Sequence, residues 1–237
     1  MIPPTKGERL AKVIARHGIC SRRDAERLIA EGQVCVNGTL IETPATLVTE
    51  ADRITVKGQL LETKQPTRLW VFYKPTGVVT TRKDPQGRPT VFSLLPNDLP
   101  DHIISVGRLD LMTEGLLLLT NDGEFARKLE HPSSAIPRTY EVRVYGRLDE
   151  QKLRRLWRGV DIDGVSYGPI DCTILTQEGS NTWLEMTIKE GKNREIRNII
   201  HYLGGHVNRL IRVAYGPYTL ETLSKHDLVE VSPELVG

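Results

Sequence analysis

Four consecutive leucines, Leu116 to Leu119, stand between Gly115 and the turn-forming Asn121-Asp122-Gly123, and they limit the possible folds more than any other stretch of the chain. Such a short apolar run bounded by turn residues is the signature of a buried strand. No run approaches the ~20 apolar residues needed to cross a bilayer. Just ahead of the leucines lies Ser105-Val106-Gly107-Arg108-Leu109-Asp110-Leu111-Met112-Thr113-Glu114, an acid between two leucines in a loop that joins two apolar strands. That carboxylate belongs at the edge of a core, where it needs a cationic partner.

The remaining strand signals fall at Leu69–Tyr73, Ile103–Val106, Thr139–Val144, Ile170–Leu175 and Trp183–Ile188, and helix signals at Gly123–Glu130, Glu150–Gly159 and Glu195–Leu203. Asn121 is a candidate cap for the first of these helices. The irregular alternation predicts a mixed, mainly antiparallel sheet with packed helices, an α+β domain over residues 68–237. Ahead of it, Leu10, Val13, Ile14 and His17 share a helix face that Gly18 closes, and Ser21 caps a second helix whose buried stripe is Ala25, Leu28 and Ile29. Val34–Ile41 alternates around Asn37-Gly38, a hairpin signal, and Arg53–Lys57 is a further strand. Residues 1–61 thus form a small α/β unit, and the polar stretch 62–67, with Pro66, is the linker.

The 237 residues suit one large domain or a small one plus a medium one. With 39% hydrophobic and 26% charged residues, disorder, collagen and disulfide-scaffold readings are excluded. Cys20, Cys35 and Cys172 lack metal-ligand spacing, and the N-terminus MIPPTKGERL has no apolar signal stretch, so a cytoplasmic protein with reduced thiols is expected. Net charge is only +2. Basic residues are concentrated, however: seven against three acids between Lys6 and Arg27, and six against two between Lys189 and Arg212. Such segments are solvated helix faces or footprints for a polyanion. Arg22, Arg23 and Arg27 lie away from the buried stripe of their helix.

There is no GxGxxG, Walker loop, HExxH or GxSxG, so any chemistry rests on side chains. Asp110 is either a turn-stabilising acid paired with Arg108 or a nucleophile held ionised by an arginine. In Gly191-Lys192-Asn193-Arg194-Glu195-Ile196-Arg197 the two arginines are three apart, so one could bind phosphate while the other reaches a carboxylate; a solvated helix start is the alternative. Tyr140 alternates with Val142 on a strand, as core or as a stacking platform for a base. Tyr73-Lys74-Pro75-Thr76-Gly77 ends a strand in a turn.

Taken in order, Lys74-Pro75-Thr76-Gly77, Gly107-Arg108-Leu109-Asp110 with Thr113 and Gly115, Arg138-Thr139-Tyr140 and Glu190–Arg197 resemble the RsuA/RluB family of ribosomal RNA pseudouridine synthases. Residues 8–58 are similar to the S-four RNA-binding domain that precedes the catalytic domain there. Asn193-Arg194-Glu195 is more similar to the branch that modifies large-subunit ribosomal RNA. The resemblance implies isomerisation of uridine to pseudouridine without metal or other cofactor, by a monomer acting on structured RNA. It implies Asp110 as the catalytic aspartate, Arg197 as the cation that pairs with it, and Tyr140 as the ring against the target base. It also puts Lys74, Arg108, Lys192 and Arg194 on RNA near the site, and Arg22, Arg23 and Arg27 on neighbouring RNA. Two rivals are a non-catalytic RNA-binding protein acting in ribosome assembly and a helix-turn-helix DNA regulator.

Overall fold

The computed structural model describes residues 7–61, 65–100, 102–146 and 148–234. They fall into two compact units, one comprising the chain to Thr67 with Asp98–Ile104 and Asn121–Gly123, the other Arg68–Asn97, Ser105–Thr120 and the chain from Glu124. Part of the expected linker, Glu62 to Lys64, lies outside the described residues.

The first unit packs α1 (Leu10–Arg16) and α2 (Arg22–Ala30) over a small sheet. The Ser21 hydroxyl accepts the Asp24 N–H at 3.2 Å, which supplies a partner for one of the amides a helix start leaves open. Leu10, Ile14, Ala25 and Ile29 are fully buried, together with Val34 from the sheet. Strands β1 (Val34–Val36) and β2 (Thr39–Ile41) form the expected hairpin, with Asn37 and Gly38 both at positive φ (53° and 82°) as its tight turn demands. Strand β3 (Ile54–Val56) pairs antiparallel on the other side of β1.

The second unit is built on β5 and its neighbours, in a chain order that runs β4 (Gln59–Leu60, still in the first unit), β5 (Leu69–Lys74), β6 (Glu114–Thr120), α3 (Gly123–Glu130), β7 (Arg138–Tyr145), α4 (Glu150–Arg155), β8 (Asp171–Glu178), β9 (Asn181–Ile188), α5 (Glu195–Tyr202), β10 (His206–Tyr215) and β11 (Leu228–Val231). Its sheet runs β8-β9-β7-β10-β6-β5-β11. Every pairing along that path is antiparallel except β10 with β6, which is parallel. Leu116 to Leu119 are wholly buried, as a strand covered on both faces requires. Gly115 (φ +106°) has no alternative: a Cβ there would run into the main chain of Arg212 on β10.

Three elements depart from expectation. The helix expected to Gly159 stops at Arg155 and tightens into a 3-10 turn, Leu156–Arg158. A hairpin of Val160–Ile162 and Val165–Tyr167 follows, turning on Asp163-Gly164. The central strand β10 carries no periodic apolar signal, because Arg209 and Arg212 interrupt it. Arg209 pairs with Glu114, which is buried in β6 and also held by Lys225 at 2.8 Å.

Candidate active site

Asp110 sits in the loop between strand Ile104–Val106 and β6. Five successive carbonyls of that loop are tied down. Leu109 O accepts from the Thr80 hydroxyl at 3.0 Å, Asp110 O from Thr113 N–H at 3.0 Å and from Lys74 Nζ at 3.1 Å, and Leu111 O from Gly77 N–H at 2.8 Å. Met112 O accepts from Arg197 Nη2 at 2.9 Å and Thr113 O from Lys74 Nζ at 2.8 Å. The loop's entry is held as well, by Gly107 N–H donating to Glu130 Oε1 at 2.6 Å. A carboxylate on main chain fixed at five consecutive residues is aimed before any ligand arrives.

The carboxylate opens into a cleft of about 630 Å³ lined by Thr80, Arg108, Arg138, Tyr140, Lys192, Arg194, Glu195, Arg197, Arg212 and Tyr215. The cleft is cationic. Arg138 and Arg212 are both buried in its wall, and their guanidinium groups lie 4.8 and 5.1 Å from the centre of the Tyr215 ring. Arg138 also donates to Lys189 O and Glu190 O, at 3.1 Å each, which fixes the chain entering the Glu190–Arg194 loop. Glu195 is buried and accepts from Gly191 N–H at 3.0 Å and Lys192 N–H at 2.8 Å, closing the same loop. Burial raises its carboxyl to about 7, with nearby Glu190 adding to the rise and the two amide bonds opposing it.

Six of the residues singled out in the sequence therefore share one cleft: Asp110, Arg108, Tyr140, Lys192, Arg194 and Arg197. Two expected roles need correction. Arg197 does not pair with the Asp110 carboxylate: its donors go to Met112 O and, at 3.4 Å, to Val207 O, so it grips the backbone beside the acid. Arg194 is the arginine facing the carboxylate, Nη1 to Oδ2 at 3.8 Å, from a left-handed residue (φ 50°) that caps α5. Burial lowers the Arg197 pKa, with repulsion from Arg194 lowering it further and Asp110 raising it. Lys74 is not a phosphate ligand. It is wholly buried at the end of β5, with its ammonium on three carbonyls, those of Pro75 (3.0 Å), Asp110 and Thr113. Burial lowers its pKa to about 8, partly opposed by Asp110 and Glu114, while Arg212 adds to the lowering.

Among the other expected RNA contacts, Lys192 donates to Glu190 Oε2 at 2.6 Å and to Ser166 O at 2.5 Å, so its charge is already matched. Arg108 is exposed at the cleft. On α2, Arg22 pairs with Glu26 at 3.3 Å and Arg27 with Asp24 at 3.1 Å, while exposed Arg23 has no ion pair among the described residues. Sequence reasoning passed over Thr80 and Arg212, and quoted Arg138 only within the Arg138-Thr139-Tyr140 motif, with no role of its own. The one visible signal was an arginine inside Leu210-Ile211-Arg212-Val213, a charge in an apolar strand.

Among the described residues, no group of three or more His, Cys, Asp or Glu stands close enough to hold a metal, and no helix is long and apolar enough to cross a membrane. Comparison with known proteins gives the class of this fold and cleft. A family described as RNA pseudouridylate synthase matches residues 68–202, and an S4 domain matches residues 8–54. A protein of Rickettsia felis named "Uncharacterized RNA pseudouridine synthase" is 48% identical over 229 residues, covering 97% of this chain and 99% of that one. "Ribosomal large subunit pseudouridine synthase B" of Salmonella typhi is 44% identical over 222 residues, covering 90% and 75%. A crystal structure of a pseudouridylate synthase superposes with a TM-score of 0.68 at 26% identity, covering 94% and 96%. The chain belongs to the RNA pseudouridine synthase family.

Proposed function

We propose that this protein converts a uridine of ribosomal RNA, in the large subunit, to pseudouridine, with Asp110 as the nucleophile. The observation that carries the reading is the half-exposed Asp110 carboxylate, aimed into a cationic cleft from a loop fixed at residues 109 to 113. The similarity to proteins named for large-subunit modification supports the choice of RNA. Residues 1–61 dock structured RNA and residues 68–237 hold the chemistry, in the cytoplasm where ribosomal RNA is processed.

A uridine stacked in a duplex cannot reach the carboxylate, so the target is everted into the cleft, which costs a few kcal/mol that contacts in the cleft offset. The Tyr140 ring packs on the base. Asp110 attacks the anomeric carbon or carbon six, the bond from N1 to the sugar breaks, the base turns, C5 bonds to the anomeric carbon, and the bond to Asp110 breaks to restore the carboxylate. The C5 proton then leaves, with the Tyr140 hydroxyl within the same cleft to take part. Substrate and product are isomers, so no co-substrate is consumed. Arg194 balances the charge of Asp110, Arg197 and Lys74 hold its backbone, and Arg108 meets phosphate at the rim.

The test is to map pseudouridines in ribosomal RNA from cells with the gene intact, deleted, or carrying Asp110→Asn. Loss of the same large-subunit modification in the last two strains is expected. An unchanged map in either strain, or loss confined to small-subunit RNA, overturns the reading at the level it addresses.

A further inference from the structure

Arg212 is a buried cation without an acid. Its side chain is 3% exposed and makes a single hydrogen bond among the described residues, Nε to Leu116 O at 2.7 Å. Neither terminal amino group has a hydrogen-bond partner among those residues, and Nη2 is covered as well. None of their carboxylates forms an ion pair with it. Burying unpaired donors of a guanidinium is costly, and such a group persists where a ligand completes it.

The surroundings say which ligand. Arg212 stands directly opposite Tyr140 in the antiparallel pairing of β10 with β7, so the two side chains share one face of the sheet, and both line the cleft that holds Asp110. The guanidinium is fixed in its plane by Leu116 O on one edge and by the Tyr215 ring 5.1 Å away. The Tyr215 hydroxyl is anchored in turn, donating to Leu129 O at 2.9 Å and accepting from Arg138 Nη2 at 2.9 Å. Because Tyr140 and Arg212 are cross-strand partners, a base packed on the Tyr140 ring would lie beside the guanidinium. Arginine donates only. The atom it meets must be an acceptor, and uracil presents two such atoms, O2 and O4, where cytosine carries an amino group in place of O4.

We propose that a terminal amino group of Arg212 donates a hydrogen bond to a carbonyl oxygen of the target uracil, making Arg212 the residue that reads the base. This rests on the functional reading above and adds to it the side chain that holds the uracil ring, one that excludes cytosine where the oxygen it meets is O4. The same bond strengthens when the base leaves the sugar with negative charge on its carbonyl oxygens, so the contact acts mainly on kcat.

The experiment uses the full-length protein and an RNA fragment containing the mapped target, synthesised with uridine, 2-thiouridine or 4-thiouridine at that one position, sulfur being the weaker acceptor. Wild-type protein is expected to lose about 10- to 100-fold in kcat/KM on one thio-substituted RNA, the size of a hydrogen bond to a charged donor. Arg212→Gln is expected to be slower on uridine by a similar factor with KM little changed, and to treat that thio-substituted RNA and the uridine RNA alike; Arg212→Lys recovers part of the rate. Equal wild-type rates on all three RNAs overturn the proposal without any variant having to fold. So does a thio penalty that is undiminished in Arg212→Gln. A wild-type protein that forms no pseudouridine in any ribosomal RNA overturns the functional reading instead, and this inference with it.

Discussion

At the scale of single residues, Asp110, Lys74 and Glu195 do different work and can be separated. Asp110→Asn keeps the shape of the side chain and removes the nucleophile. Product formation should vanish while RNA affinity, measured by filter binding, stays within about threefold, because affinity comes mainly from phosphate contacts. Lys74→Met leaves the carbonyls of Asp110 and Thr113 without their shared donor. A displaced nucleophile loses about 100-fold in rate, and kcat should fall by that order with KM nearly unchanged. The ionisation of these groups sets the pH range. The Lys74 ammonium is present below about 8 and gives up its proton above it, so activity should fall on the alkaline side. Stability should move the other way there: between about 8 and the ordinary lysine value the unfolded chain binds the extra proton, and stability rises with pH. Glu195 is ionised above about 7, and only then does it accept the Gly191 and Lys192 amides at full strength. An acid limb near 7 that disappears in Glu195→Gln is expected in the pH profile of kcat; its persistence in that variant would remove Glu195 from the titration.

At the scale of elements, the strands marked by apolar alternation are legible in the sequence, and so are the Asn37-Gly38 hairpin and the Ser21 cap. Strand β10 is not, because its arginines make sense only against Glu114 and the cleft, neither of which is near in sequence. The same holds for the two arginines of the Glu190–Arg197 segment. Their spacing of three allowed either to face the acid; in the structure it is Arg194, on a left-handed backbone, that does. Gly115, by contrast, followed a legible motif whose reason lay in the neighbouring strand. Gly115→Ala combines a Cβ collision with an unfavourable φ and should destabilise the protein by about 2–4 kcal/mol, read as a lowered denaturant midpoint. For α2, changing Arg22, Arg23 and Arg27 together to Ala should weaken RNA binding and reduce the slope of log K against log salt by about 0.7–0.9 for each phosphate that the helix no longer neutralises. An unaltered slope would take this helix off the RNA. Because Arg22 and Arg27 already have acidic neighbours, Arg23 alone should account for the largest single share.

At the scale of the whole molecule, a chain of net charge +2 concentrates its cations in places where they have work. The acid's tethers come from well-separated stretches of chain: Lys74, Gly77 and Thr80 precede it, and Arg197 follows 87 positions later. A polypeptide emerging from the ribosome cannot complete the tethering of this loop until Arg197 has been synthesised, so copies that stop short of it should be less active toward the RNA around them. In refolding, catalytic competence should be the last property regained, after far-ultraviolet circular dichroism has already levelled off.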